Sequence, residues 1–446
     1  MNNNSLLIIF ILFFLTFTCH SQNGFRFKNT SQKKQRLSFE LINNLVVIPV
    51  FINNKKMSFI LDTGVNKTII FNLSENDSIG LLNPEKVSLR GLGDGESVEA
   101  IISRNNKLQV KNAIGNNESV YVILKDFFDL SSKMGTTIHG IIGYNLLKDF
   151  VVRINYKTKK IDFYNPDSFK YKRCKKCEVL PIQFYRKKPF VEVDVQLDTV
   201  NNVQTPVKML VDSGGSDAIW LFENSKAEIK TPLKYFNDLL GEGLSGSIYG
   251  NRSRIPKLII GKYEIKSPTV SFLDSLSTQN ASMLKERNGS IGGNILKRFM
   301  VWIDYPNKKI TLRKNASFKS DFNYNMSGLD IVYNGKQLVK EEIIKPVSDS
   351  FNNDIQTNNT ISFVANYTYK FKPSYIIKNV VKNSPADRAG LQLGDILSSI
   401  NRKPVHSYKL NEIVSKMQER ANKKITITVL RYGSKKTFQF RLEKRI

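Results

Sequence analysis

Phe59-Ile60-Leu61-Asp62-Thr63-Gly64 and Lys208-Met209-Leu210-Val211-Asp212-Ser213-Gly214 decide how this chain is read. Each is an apolar run ending in Asp, a hydroxyl residue and Gly. The segments downstream of each copy repeat as well. A glycine-rich stretch begins at Gly91 and again at Gly241, each 29 residues beyond its aspartate. Gly140-Ile141-Ile142-Gly143-Tyr144-Asn145-Leu146-Leu147 answers to Gly289-Ser290-Ile291-Gly292-Gly293-Asn294-Ile295-Leu296. Gly143 lies 81 residues past Asp62, and Gly292 lies 80 past Asp212. Phe150-Val151-Val152-Arg153-Ile154-Asn155-Tyr156 matches Phe299-Met300-Val301-Trp302-Ile303-Asp304-Tyr305. One Asp-Thr-Gly is commonly a turn whose Asp bonds its own backbone. Two copies in register imply a duplication in which each half brings one carboxylate.

Two carboxylates at hydrogen-bonding distance cannot both ionise and share a proton. One can then act as general base on a water and the other as general acid. Thr63 and Ser213 can orient the pair by donating to the opposite loop. Gly64 and Gly214 have no Cβ, so backbone amides can approach the carboxylates.

These elements resemble the pepsin and retropepsin aspartic proteases over about 280 residues. The resemblance implies a mainly β, two-lobed acid-protease fold with Asp62 and Asp212 as the catalytic pair. Thr63, Gly64, Ser213 and Gly214 would orient them. In that family an apolar-apolar-Gly segment crosses behind each active-site loop. Ile141-Ile142-Gly143 and Ser290-Ile291-Gly292 match it, with Ser290 a mild departure. Family flaps are glycine-rich hairpins over the peptide. Gly91, Gly93 and Gly95 and, in the second half, Gly241 and Gly243 stand where flaps and substrate contacts belong. Two such flaps are closer to the retropepsin arrangement than to the single flap of pepsin. The residue after the active-site Gly is usually Ala or Ser, whereas here it is Val65 or Gly215, so the substrate cleft is expected to differ. Asp94 and Asp217 read as surface residues of flap and loop.

The C-terminal stretch from Asn383 through Ser384-Pro385-Ala386 to Leu391-Gln392-Leu393-Gly394-Asp395-Ile396-Leu397 resembles the bacterial PDZ signature, and implies an α+β peptide-binding module. By the same resemblance, Ser327, Gly328 and Leu329 would form its carboxylate-binding loop and first groove strand, presenting backbone amides to a peptide terminus.

A chain of 446 residues suggests about three domains. Residues 1–21 read as a signal peptide: Leu6 to Phe17 is an apolar run too short to span a bilayer, and cleavage is expected after Ser21. Residues 22–37 read as a flexible lead-in, 38–166 as the first lobe, 167–178 as a connector and 179–317 as the second lobe. The PDZ-like domain follows over 320–446, with an Asn- and Lys-rich insertion at 334–373. Within the first lobe, turn signals at Asn53-Asn54 and Tyr156-Lys157-Thr158-Lys159 mark hairpins, and Asn145 to Lys148 reads as a short helix. Leu410, Ile413, Val414 and Met417 mark a helix near the end of the chain, followed by a hairpin through Tyr432-Gly433-Ser434.

Cys174 and Cys177 would pair as a local disulfide in an exported protein. Export to the periplasm or secretion is expected of a bacterial chain of this kind. Attachment of a lipid at Cys19, giving an outer-membrane lipoprotein, is the alternative. The formal charge of +28 comes from 67 Lys and Arg against 39 Asp and Glu. These cations are scattered without a dominant tract or a nucleic-acid module, so nucleic acid is not an expected partner. Peripheral association with an anionic membrane is compatible with the charge. The reading implies no metal or cofactor, a peptide or protein substrate, a possible C-terminal peptide ligand for the last module, and a monomer. The rival reading on the same fold is a catalytically silent envelope scaffold that binds peptides.

Overall fold

The computed structural model describes residues 24–73, 79–91, 95–124, 129–200, 202–274, 278, 284, 286–347 and 362–446. The expected leader, Cys19, Gly93 and Asp94 lie outside these residues.

The fold is mainly β, with two lobes and a C-terminal α+β module. Short strands with period-2 burial build it, as at Leu45–Ile52 and Lys55–Leu61. Asn53 and Asn54 join those two strands with φ of 46° and 71°. Asn tolerates this left-handed region, which a two-residue hairpin turn demands. A nine-stranded sheet forms the first lobe and a ten-stranded sheet the second.

A six-stranded sheet joins the lobes. It runs Cys177–Pro181, Lys309–Lys314, Phe299–Asp304, Val151–Asn155, Lys160–Tyr164 and Lys34–Ser38. The repeated segments at Val151 and Phe299 meet at its centre as antiparallel partners, with Val151 opposite Asp304 and Asn155 opposite Met300. The duplication therefore closes on itself, and one apolar core runs through both lobes. Buried Asp162 anchors the sheet by accepting from Arg36 at 2.7 Å and from Arg153.

The lead-in expected over 22–37 is instead structured. Gly24–Phe27 pairs with the strand Ala113–Ile123, and Lys34–Ser38 forms an edge of the shared sheet. Phe25, Phe27 and Leu37 are buried, and that apolar alternation holds the segment down. Cys174 and Cys177 are joined by a disulfide in the connector.

The C-terminal module has its own core, which includes Leu329, Ile377, Leu397, Ile413 and Ile427. The segment expected as an insertion extends two of its strands, Leu329–Val347 and Ser362–Val380, which pair as one long antiparallel ladder. Asp395 is 1% exposed and takes both Arg431 Nε at 2.6 Å and Nη2 at 2.7 Å. Removing the arginine would strand a buried carboxylate. Arg431→Ala is expected to cost the module about 3 kcal/mol, with Arg431→Lys losing less, read from its urea midpoint.

Candidate active site

The two Asp-hydroxyl-Gly turns meet at the lobe interface. Each leaves the end of a strand that lies between two others. Lys55–Leu61 runs parallel to Gly140–Ile142, and the second-lobe strand Gln204–Val211 runs parallel to Arg287–Ile291. The amide of Asp62 donates to Ile142 O and that of Asp212 to Ile291 O, both at 2.9 Å. The apolar-apolar-Gly segments thus fix where each aspartate begins. A Cβ on Gly143 would lie 2.0 Å from Asp62 O. Gly143→Ala is therefore expected to destabilise the first lobe by about 3 kcal/mol, measured as a lowered urea midpoint.

Thr63 and Ser213 bond across the interface in a closed, reciprocal set. Thr63 Oγ1 donates to Val211 O at 2.6 Å and accepts from Ser213 N at 2.9 Å. Ser213 Oγ donates to Leu61 O at 2.7 Å and accepts from Thr63 N at 3.0 Å. Both residues are essentially inaccessible, so each hydroxyl satisfies a buried amide and a buried carbonyl of the opposite lobe.

This arrangement brings the carboxylates together. Asp62 Oδ1 accepts from Gly64 N at 2.6 Å, and Asp212 Oδ1 accepts from Gly214 N and Gly215 N at 3.0 Å. A Cβ on Gly214 would fall 2.3 Å from the Asp62 carboxyl, so only glycine fits there. Burial, followed by the charge of Asp212, pushes the Asp62 carboxyl up to about 7 from its ordinary 3.8. The pair therefore keeps a proton well above the usual carboxylate range.

A cleft of about 450 Å³ opens over the pair. Two hairpins cover it, Glu85–Leu89 with Val98–Val110 and Phe236–Gly243 with Gly246–Arg254. Their tips touch: Gly95 N donates to Ser245 O at 2.6 Å, and Gly91 N to Ser245 Oγ at 3.2 Å. Gly91, Gly241 and Gly243 line the cleft. Asp217, read from sequence as a surface residue, is instead half-buried. It takes Arg252 Nη1 and Trp220 Nε1 and holds the second active-site loop against its sheet.

A family model described as aspartyl protease matches residues 48–146, and one described as PDZ domain matches residues 376–431. The chain carries an aspartyl protease domain and a C-terminal PDZ domain. A stretch of 69 residues is 30% identical to a protein named probable CtpA-like serine protease in Staphylococcus aureus strains COL and N315. That match covers 16% of this chain and spans only 14% of the length of those relatives. Among solved structures, an aspartic proteinase from Irpex lacteus aligns over 64% of this chain and 98% of its own, at 13% identity and a TM-score of 0.43.

The PDZ domain sits against the protease. Its strand beginning at Leu329 forms an edge of its sheet and packs beside the helix Leu130–Met134 of the first lobe. A Cβ on Gly135, just past that helix, would lie 2.7 Å from Leu410 of the PDZ helix Leu410–Lys416. Lys378 pairs with Asp129 at 2.9 Å across the same junction. Leu130, Lys133 and Met134 of the first-lobe helix also line the cleft.

The expected carboxylate loop differs from an open cradle. Ser327 N donates to Asn325 Oδ1 at 3.0 Å, and Leu329 N to Ser327 Oγ at 3.0 Å. Ser327 is buried, and Gly328, with φ of 81°, is pressed against Ser384. Two of the three amides are thus already bonded within the loop. The short polar side chains of Asn325 and Ser327, which satisfy them, are the local sequence signal for this closed loop.

Proposed function

We propose that this chain is an aspartic-type endopeptidase that hydrolyses peptide bonds with a water activated between Asp62 and Asp212. The reciprocal Thr63–Ser213 set under two half-buried carboxylates is the observation that carries this reading. At a pH where the pair shares one proton, the ionised oxygen takes a proton from water as that water attacks the scissile carbonyl. The protonated partner hydrogen-bonds the developing oxyanion and then supplies the proton needed by the departing nitrogen. Gly64, Gly214 and Gly215 hold the carboxylates in place through their amides. The two hairpins would cover an extended peptide.

The PDZ domain would bind a peptide or partner, with its groove beside the Leu130–Met134 helix. Export of the chain, cleaved after Ser21 or lipidated at Cys19, is part of the proposal, and the Cys174–Cys177 disulfide suits an oxidising compartment.

The direct test is cleavage of a peptide library by the full chain from pH 3 to 9, beside Asp62→Asn and Asp212→Asn. Specific cleavage abolished by both substitutions supports the reading, and cleavage that survives either one overturns it. The Asp62 carboxyl, raised to about 7, sets the sign of the pH dependence: kcat/KM should fall as pH climbs through about 7, where the shared proton leaves.

A further inference from the structure

The cleft floor is asymmetric in charge. Lys188 opens the strand Lys188–Gln196 and Arg287 opens the strand Arg287–Ile291, and both line the cleft beside Leu210 and Asp212. The duplication gives each a counterpart in the first lobe. Val47 pairs with Ile60 as Phe190 pairs with Leu210, and Ile60 and Leu210 each stand two residues before an active-site Asp. Counting back two places from Val47 and from Phe190 sets Lys188 against Leu45. Counting back five from Gly292 and from Gly143 sets Arg287 against Ile138. Leu45 and Ile138 are both buried. A register shift at Asn288 puts Arg287 opposite Lys208, a place that His139 holds opposite Ser58 in the first lobe, so by either count no Lys or Arg stands at these places there.

Among the described residues, neither cation is matched by a carboxylate of its own. Arg287 is 4% exposed. Its Nε donates to Gly289 O at 3.2 Å and its Nη2 to Ser290 Oγ at 2.9 Å. Its guanidinium lies 4.8 Å from the ring of Phe222. Among the described residues it has no ion pair, and neither does Lys188, which is half-buried. Two other cleft cations are engaged, Lys133 pairing with Glu242 at 3.2 Å and Lys67 standing 4.3 Å over the ring of Tyr121, while Arg90 at the rim is exposed to solvent. Burial lowers both Arg287, to about 10, and Lys188, with Arg287 adding to the effect on Lys188. Asp212 opposes this for Arg287, and both aspartates oppose it for Lys188. With one shared proton, however, that pair carries a single negative charge against two positive ones. Buried charge left unmatched is costly.

We propose that the second-lobe side of the cleft is a subsite for a carboxylate of the peptide substrate, held between Lys188 and Arg287. This rests on the peptidase reading above. The carboxylate has two sources in a peptide, an Asp or Glu side chain close to the cut or the free C-terminus of a short substrate. Charge-assisted bonds to a carboxylate are strong enough to set a preference of about tenfold or more.

The test uses the full chain and a peptide taken from the library cut sites. It is synthesised with Glu or Gln at each position flanking the cut, and with a free or amidated C-terminus. The wild type should cleave one Glu peptide, or the free-ended peptide, at least about tenfold better by kcat/KM than its neutral twin. Which twin shows the preference identifies the source. In Lys188→Met and Arg287→Met that ratio should collapse towards one. Arg287→Lys, which keeps the charge, should restore part of it, and Lys188→Met covers the case in which the more deeply buried arginine cannot be replaced. Neutral peptides cut well with no preference for any carboxylate would overturn the subsite while leaving the peptidase reading intact. A ratio unchanged in both Met variants, with only the pH profile displaced, would make the cations counter-ions of the aspartate pair and overturn the subsite too. No cleavage of any peptide would remove both readings.

Discussion

Asp62→Asn is expected to lower kcat/KM by at least about 1,000-fold while making the protein more stable at neutral and alkaline pH. The two effects have one cause. Asp62 is half-buried beside Asp212, and its carboxyl is raised to about 7 in the folded chain from an ordinary 3.8. Between these values the unfolded chain has released a proton that the folded chain still holds. Stability therefore falls as pH rises from about 4 to about 7, and above that the whole penalty of a buried charge is present. Asparagine keeps an oxygen for the Gly64 amide but never ionises. The variant should match the wild type near pH 4 and exceed it above pH 7 by about 2–4 kcal/mol. Urea midpoints at pH 4 and pH 8 give the comparison. An equal or lower midpoint for the variant at pH 8 would contradict the burial argument, whatever the activity does.

Thr63→Val should be the most damaging near-isosteric change in the chain. Valine fills the same space, so volume is not at issue. What is lost is a donor to Val211 O and an acceptor for Ser213 N, both buried at the lobe interface. Each unsatisfied group costs about 1–3 kcal/mol, so the change should cost about 2–5 kcal/mol. It should also reduce cleavage, because the Asp212 loop is positioned through the Ser213 amide. Thr63→Ser keeps both bonds and should lie within about 1 kcal/mol of the wild type. Equal urea midpoints for Thr63→Val and Thr63→Ser would show that the cross-interface set contributes nothing.

Much of this architecture can be read from the chain because its signals are local. Asn53-Asn54 carries a turn whose backbone few other residues accept, and the hairpin there needs no distant partner. The aspartate turns, the apolar-apolar-Gly segments and the central strands stand at matched spacings in two copies. A duplicated geometry can be inferred from that matching without coordinates. The PDZ signature is equally local, since Gly390 and Gly394 within it occupy positive φ.

What could not be read depends on contacts between distant parts of the sequence. Nothing in Lys188 or Arg287 distinguishes them among 67 basic residues until the strands bring them to the cleft. Asp217 looks like a loop carboxylate until Arg252, 35 residues later, is placed against it. The cations looked scattered, yet Lys34, Arg153, Lys170, Lys309 and Arg313 converge around one groove of about 780 Å³ across the shared sheet. The period-2 pattern at Phe25, Phe27 and Leu37 was present in the sequence, but the polar, basic residues around it concealed two strands.

The sheet that joins the lobes also determines how the molecule can move. Strands from both halves are hydrogen-bonded side by side through its centre, so spreading the lobes would tear a backbone ladder and split a common core. Among the described residues, two hydrogen bonds through Ser245 hold the tips over the cleft to each other. Mechanically the protein is stiff at its back and weakly latched at its front. On the peptidase reading proposed above, a peptide would enter by release of this latch, and the fragments would leave the same way. Turnover would then be limited by the rate at which Gly91, Gly95 and Ser245 part, a step separate from the acid–base chemistry proposed for the aspartates.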